Sequence, residues 1–129
     1  MGPGLVLDTN ALSAWADGLP TAGVQLNQAD SIKIPSIALG EFLFGIQQSR
    51  DRLEYIQFLK DHLPSTEIVH VTEVTAQHYS DIRLELKKTG KPIPVNDTWI
   101  AAITRQLDLP VLTNDRHVDF VTDIHVIAY

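Results

Sequence analysis

Leu5-Val6-Leu7-Asp8-Thr9-Asn10 is an apolar run that stops at an aspartate and turns directly into a helical segment. In an open α/β sheet the carboxyl ends of the strands are where ligands and chemistry collect. A second run ends the same way, at Pro110-Val111-Leu112-Thr113-Asn114-Asp115. Working outward from these two junctions, strands are expected at 4–8, 31–34, 68–71, 110–113 and 124–127. Helices are expected over 9–17, 21–29, 36–49, 51–62, 73–88 and 96–107. The punctuation agrees: a turn at Gly18-Leu19-Pro20, a stop at Pro64, a cap at Thr72, a close at Gly90, and an extended link forced by Pro92 and Pro94. Short apolar strands alternating with longer helical stretches predict βαβ units, and hence an α/β fold with a mainly parallel central sheet flanked by helices. With 129 residues, no internal repeat and no linker, residues 1–129 read as a single domain. Met1-Gly2-Pro3-Gly4 reads either as a native lead-in or as an appended segment.

Composition narrows the function classes. The hydrophobic fraction of 44% supports a continuous core. No apolar run approaches the roughly 20 residues of a membrane helix, so no membrane association is expected. No basic stretch precedes a long apolar segment at the N-terminus, so no secretory signal is expected either. The absence of cysteine excludes disulfides, Cys-type zinc sites and thiol catalysis, and is compatible with a cytoplasmic location. A net charge of −6 counts against a nucleic-acid binder unless bound dications reverse the local field.

Asp8, Glu41, Asp97 and Asp115 stand at element ends or on an apolar helix, which points to a divalent-metal site. Each also has a plainer reading. Asp8 can cap the helix that follows it, as Asp commonly does. Glu41 sits among Ile37, Leu39, Phe42, Leu43 and Phe44, a helix that looks buried over most of its circumference. A carboxylate there needs an ion-pair partner or a metal, and Gly45 one turn on leaves room beside it. Either Asn96 or Asp97 can cap the 96–107 helix, leaving the other free to face a site. Asp115 can pair with Arg116 at the surface, and Asp119 is its rival as the fourth acid. Asn10 and Thr113 are the polar neighbours able to position Asp8 or a metal-bound water. The five histidines, His62, His70, His78, His117 and His125, show no metal-ligand spacing. No phosphate-binding glycine loop and no G-x-S-x-G occurs. Arg50, Arg52, Lys87, Lys88 and Lys91 are candidate phosphate contacts or simply solvated charges, and Lys87-Lys88-Thr89-Gly90-Lys91 is the one local basic cluster.

Taken together, four blocks resemble the PIN-domain family, in particular the VapC-type toxins of toxin–antitoxin pairs. They are Leu5 to Asn10, Ser36 to Glu41 with Gly45 after it, Asn96 to Ala102, and Leu112 to His117, in that order and spacing. The resemblance spans essentially the whole chain. It implies a PIN-like fold in which Asp8, Glu41, Asp97 and Asp115 are catalytic, with Asp8, Asp97 and Asp115 holding Mg²⁺ or Mn²⁺ for RNA cleavage. Asn10 and Thr113 would support them from behind. The resemblance also implies a homodimer and a small VapB-like antitoxin partner. For that surface the sequence offers Leu43, Phe44, Ile46, Tyr55, Phe58 and Leu59, more apolar side chains than one helix face absorbs. One departure stands out: the family's last block often continues His-Phe, whereas here it reads His117-Val118-Asp119-Phe120. A PIN-type RNA-processing nuclease without an antitoxin, and an inactive α/β binding module whose acids only cap helices, are the competing readings.

Overall fold

The computed structural model describes residues 4–129, so Met1, Gly2 and Pro3 of the lead-in lie outside the described residues. Its strands are β1 (Gly4–Leu7), β2 (Ser31–Pro35), β3 (Glu67–Val69), β4 (Val111–Leu112) and β5 (Val126–Ile127). Its helices are α1 (Thr9–Ala16), α2 (Pro20–Gln28), α3 (Ser36–Gln47), α4 (Arg52–His62), α5 (Glu73–Thr89) and α6 (Val95–Leu107). The sheet runs β3-β2-β1-β4-β5 with every pairing parallel. Leu5, Val6 and Leu7 are all buried, as expected of a central parallel strand covered on both faces. The chain leaves β1 toward β2 and β3, then returns to build β4 and β5 on the other side. The order therefore reverses between β1 and β4, and the crevice at their carboxyl ends is where such folds bind ligands.

Helices cover the sheet in two packed groups. On one side Leu5, Leu7, Leu12, Ile34, Phe42, Ile46 and Leu59 share a core. On the other Ile82, Leu86, Ala101, Ala102 and Val121 form a second. The small Ala101 and Ala102 let α6 lie close to α5, which packs along it. α5 begins on a capping box between Thr72 and Thr75 and ends at Gly90 with φ 67°, the left-handed turn that favours glycine.

Several local expectations change. Pro20 is the first residue of α2 rather than part of a turn, because its fixed φ suits that position and its missing N–H is not needed there. The expected 110–113 and 124–127 strands shorten to the two-residue β4 and β5, flanked by the further backbone bonds Val111 N–H to His125 O and Thr113 N–H to Ile127 O. β3 starts and ends earlier than the 68–71 run. α3 is not buried around most of its circumference: Ala38, Phe42 and Ile46 form a single i, i+4 row facing the core, while Phe44 is 68% exposed. The expected apolar surplus shrinks accordingly, because Ile46 and Leu59 belong to the core, Tyr55 and Phe58 are half-buried, and Trp15 meets Phe58 edge-on. Leu43 and Phe44 stay exposed, joined by Leu53 of α4. Among the described residues no helix is long and apolar enough to cross a membrane.

Candidate active site

Asp8 leaves β1 at 2% exposure, and one of its carboxylate oxygens takes the capping role its sequence offered. Its Oδ1 accepts the Thr9 N–H at 2.7 Å as the N-cap of α1. Its Oδ2 accepts the Thr113 hydroxyl at 2.8 Å and the Asn10 amide at 3.2 Å. The register Leu7↔Leu112 makes this possible, since it sets the residues after the two strands side by side. Thr113 also accepts the Asp115 N–H at 2.9 Å, so the hydroxyl that holds Asp8 also shapes the loop carrying Asp115. Asn10 Oδ1 accepts the Asn114 N–H and the Tyr129 hydroxyl, each at 3.0 Å, which fixes the amide so that its nitrogen faces Asp8. Asn10 and Thr113 thus both hold Asp8 Oδ2.

The other three acids face the same place. Glu41 accepts the Thr9 hydroxyl at 2.7 Å. A Cβ built on Gly45 or Gly40 meets nothing within 4 Å, so the α3 surface beside Glu41 is open. Asp97 is in the first turn of α6, but neither it nor Asn96 is the cap. Pro94 occupies that position and its carbonyl accepts the Thr98 N–H at 3.0 Å, so the Asp97 carboxylate is released from capping altogether. Asp115 caps the 3₁₀ turn Arg116–Phe120 through the His117 N–H at 2.9 Å. Its side-chain neighbour is His117 rather than Arg116: His117 Nδ1 lies 3.2 Å from Asp115 and 3.7 Å from Asp97. Asp119 is exposed, whereas the charge of Asp115 raises both Asp8 and Asp97.

The electrostatics show the crowding. Burial, followed by the charges of Asp8 and Asp115, a hydrogen bond with Asp115 and the charge of Glu41, pushes the Asp97 carboxyl up to about 6. Burial also raises Asp8, with the charges of Asp115 and Glu41 adding and the hydrogen bonds from Thr113 and Thr9 opposing. Tyr129 is raised by burial and then by Asp8. Among the described residues the Lys and Arg ion pairs are Lys33 with Glu67 and Arg105 with Glu85, both away from these acids. Clustered carboxylates with raised protonation and no Lys or Arg counter-charge form a donor set suited to a hard dication.

His117 is the residue that sequence spacing missed. One nitrogen of its ring and one oxygen from each of Asp97 and Asp115 all lie within 4.8 Å of one another. Its position two residues after Asp115, at the end of a strand–loop junction, was the available signal. The basic candidates Arg50, Arg52, Lys87, Lys88 and Lys91 are all exposed.

Comparison with known proteins bears on the family and the fold. The family model described as the PIN domain matches residues 5–122. The ribonuclease VapC5 of Mycobacterium tuberculosis is 28% identical over 119 residues, which cover 85% of this chain and 82% of that protein. Among solved structures, VapBC2 from Rickettsia felis bound to a DNA fragment from their promoter superposes with a TM-score of 0.87 at 22% identity, covering 97% of this chain and 98% of that one. VapBC-5 from Mycobacterium tuberculosis, a member of the VapBC family of toxin–antitoxin systems, gives 0.76 at 24% identity, with 98% and 97% covered.

Proposed function

The chain belongs to the PIN-domain family, and from that premise we propose that it is a metal-dependent endoribonuclease acting as the toxin half of a VapBC-like toxin–antitoxin pair. The observation that carries this reading is the convergence of Asp8, Glu41, Asp97 and Asp115 without a Lys or Arg partner among the described residues. In this reading the four acids are the catalytic residues, Asp8, Asp97 and Asp115 are the metal ligands, and His117 borders them. The residues fit a hard dication: oxygen donors predominate, and Asp97 holds its proton up to about pH 6 unless positive charge replaces it. When bound, Mg²⁺ or Mn²⁺ supplies a Lewis acid for the phosphoryl group and lowers the pKa of attacking water. The protein's part is to keep Asp8 in one rotamer through Thr113, Asn10 and the Thr9 N–H. Glu41, tied to the same turn by Thr9, is placed on the α3 side to accept a proton.

The partners in this reading are RNA, a small VapB-like antitoxin and a second copy of the chain, in the cytoplasm. The exposed Leu43 and Phe44 of α3 and Leu53 of α4 are among the apolar side chains the chain offers to protein partners. Purified protein on total RNA tests the catalytic part. Cleavage is expected with Mg²⁺ or Mn²⁺, and loss of it is expected in chelator and in Asp8→Asn or Asp97→Asn. Cleavage undiminished in chelator overturns the proposal.

A further inference from the structure

The one basic cluster of the sequence, Lys87-Lys88-Thr89-Gly90-Lys91, ends at a lysine that reaches toward the 3₁₀ turn after Asp115. The left-handed Gly90 turns the chain at the end of α5, and the Lys91 N–H bonds back to the Leu86 carbonyl at 3.0 Å. Lys91 Nζ then stands 5.3 Å from the ring centroid of Phe120. The Phe120 ring lies 6.4 Å from that of His117, whose Nδ1 reaches Asp115 and Asp97 at 3.2 and 3.7 Å. An ammonium, an aromatic ring and an imidazole thus form a continuous rim leading to the acidic centre.

The fold does not use the Phe120 ring as core. Val118 is the buried anchor of this 3₁₀ turn at 1% exposure, whereas Phe120 is 42% exposed. A large aromatic left open beside a catalytic centre, with a cation over it, has the composition of a single-strand nucleic-acid platform. Bases of any identity stack on such a ring while the basic group meets the backbone. The charge balance sharpens the need for one, since a chain of net charge −6 with clustered acids repels phosphate everywhere except at local basic points.

We propose that Phe120 and Lys91 form a nucleotide subsite, in which the ring stacks an unpaired RNA base flanking the cleaved phosphodiester and the ammonium contacts an adjacent phosphate. This rests on reading the acids as a ribonuclease centre. The ligand is single-stranded, because a paired base does not offer its face.

The test is fluorescence anisotropy with a labelled single-stranded RNA oligonucleotide and no divalent cation, so that binding is read without cleavage. Phe120→Ala is expected to weaken binding roughly 5- to 100-fold, the range of one lost base–aromatic stack, and Phe120→Trp to restore it. Lys91→Ala is expected to reduce the slope of log affinity against log salt by about 0.7, the value for one single-strand phosphate contact. Melting curves confirm that the variants are folded. Unchanged binding in Phe120→Ala, or a Phe120→Trp variant as weak as Phe120→Ala, overturns the subsite. If the wild type still cleaves RNA with Mg²⁺, the nuclease reading survives that result. A wild type that binds through Phe120 but never cleaves keeps the subsite and removes the nuclease.

Discussion

The Thr9 hydroxyl donates to Glu41 Oε1 at 2.7 Å, tying the first turn of α1 to the middle of α3. The N–H of the same residue donates to Asp8 Oδ1, also at 2.7 Å. Thr9 therefore spaces two acids that come from different elements. Valine keeps its shape and removes the donor. Thr9→Val is expected to reduce RNA cleavage about tenfold, in line with the loss of one hydrogen bond to a charged group, and Thr9→Ser to recover most of it. Steady-state kinetics on an RNA oligonucleotide decide this, and full activity in Thr9→Val would show that Glu41 needs no such tether.

Glu41→Gln is expected to lower activity without lowering the melting temperature of the metal-free protein. The charge of Glu41 raises both Asp8 and Asp97, so removing it relieves repulsion while the amide oxygen still accepts from Thr9. A clear fall in melting temperature would mark Glu41 as a structural ion-pair member instead.

The Asp97 carboxyl, ordinarily near 3.8, titrates at about 6 in the folded chain. Between those values the folded state keeps a proton that the unfolded state has shed, so stability falls as pH rises through this window. Asp8, also raised, acts in the same direction. The metal-free protein is therefore expected to melt lower at pH 7 than at pH 5.5, by an amount on the order of 1 kcal/mol after solvent screening. Saturating Mg²⁺ or Mn²⁺, or Asp97→Asn, is expected to flatten the profile. Calorimetry showing the opposite slope, with stability rising toward neutrality, rejects the crowded-carboxylate account.

Phe44 is 68% exposed on α3, an unusual place for a phenyl ring. Co-expression with the small open reading frame beside its gene is expected to yield a complex, and Phe44→Glu to weaken it at least tenfold, the loss of a buried aromatic anchor. Size exclusion with light scattering reads the outcome. A monodisperse monomer that ignores its neighbour at high concentration would remove the toxin–antitoxin assignment and leave the nuclease one.

The sheet and the placing of four acids at one end of it were legible because both depend on local grammar. Leu5 to Leu7 and Pro110 to Leu112 are apolar runs closed by polar residues, and such runs announce strand ends whatever surrounds them. Asp8 was legible twice over, since capping and site geometry ask for the same residue type in the same position. What stayed hidden depends on which neighbour arrives. The burial of α3 could not be read from its composition, because only the Ala38–Phe42–Ile46 row meets the core. The start of α6 turned on Pro94 taking the cap position, which freed Asp97 in a way that Asn96-Asp97 alone does not reveal. His117 was hidden because its partners, Asp97 and Asp115, come from different elements, so no ligand spacing exists in the chain.

Among the described strands β1 comes first in the sequence, and β4 follows helices α1 to α6. Their pairing, Val6↔Val111 and Leu7↔Leu112, brings Thr113 to Asp8. A chain still being translated therefore carries Asp8, Glu41 and Asp97 well before it has the hydroxyl that orients Asp8 or the loop that carries Asp115. Closure between such distant segments is also the slow part of folding. The β1–β4 pairing is thus what joins the first part of the acidic cluster to the last, and the full set of four acids exists only in the closed sheet.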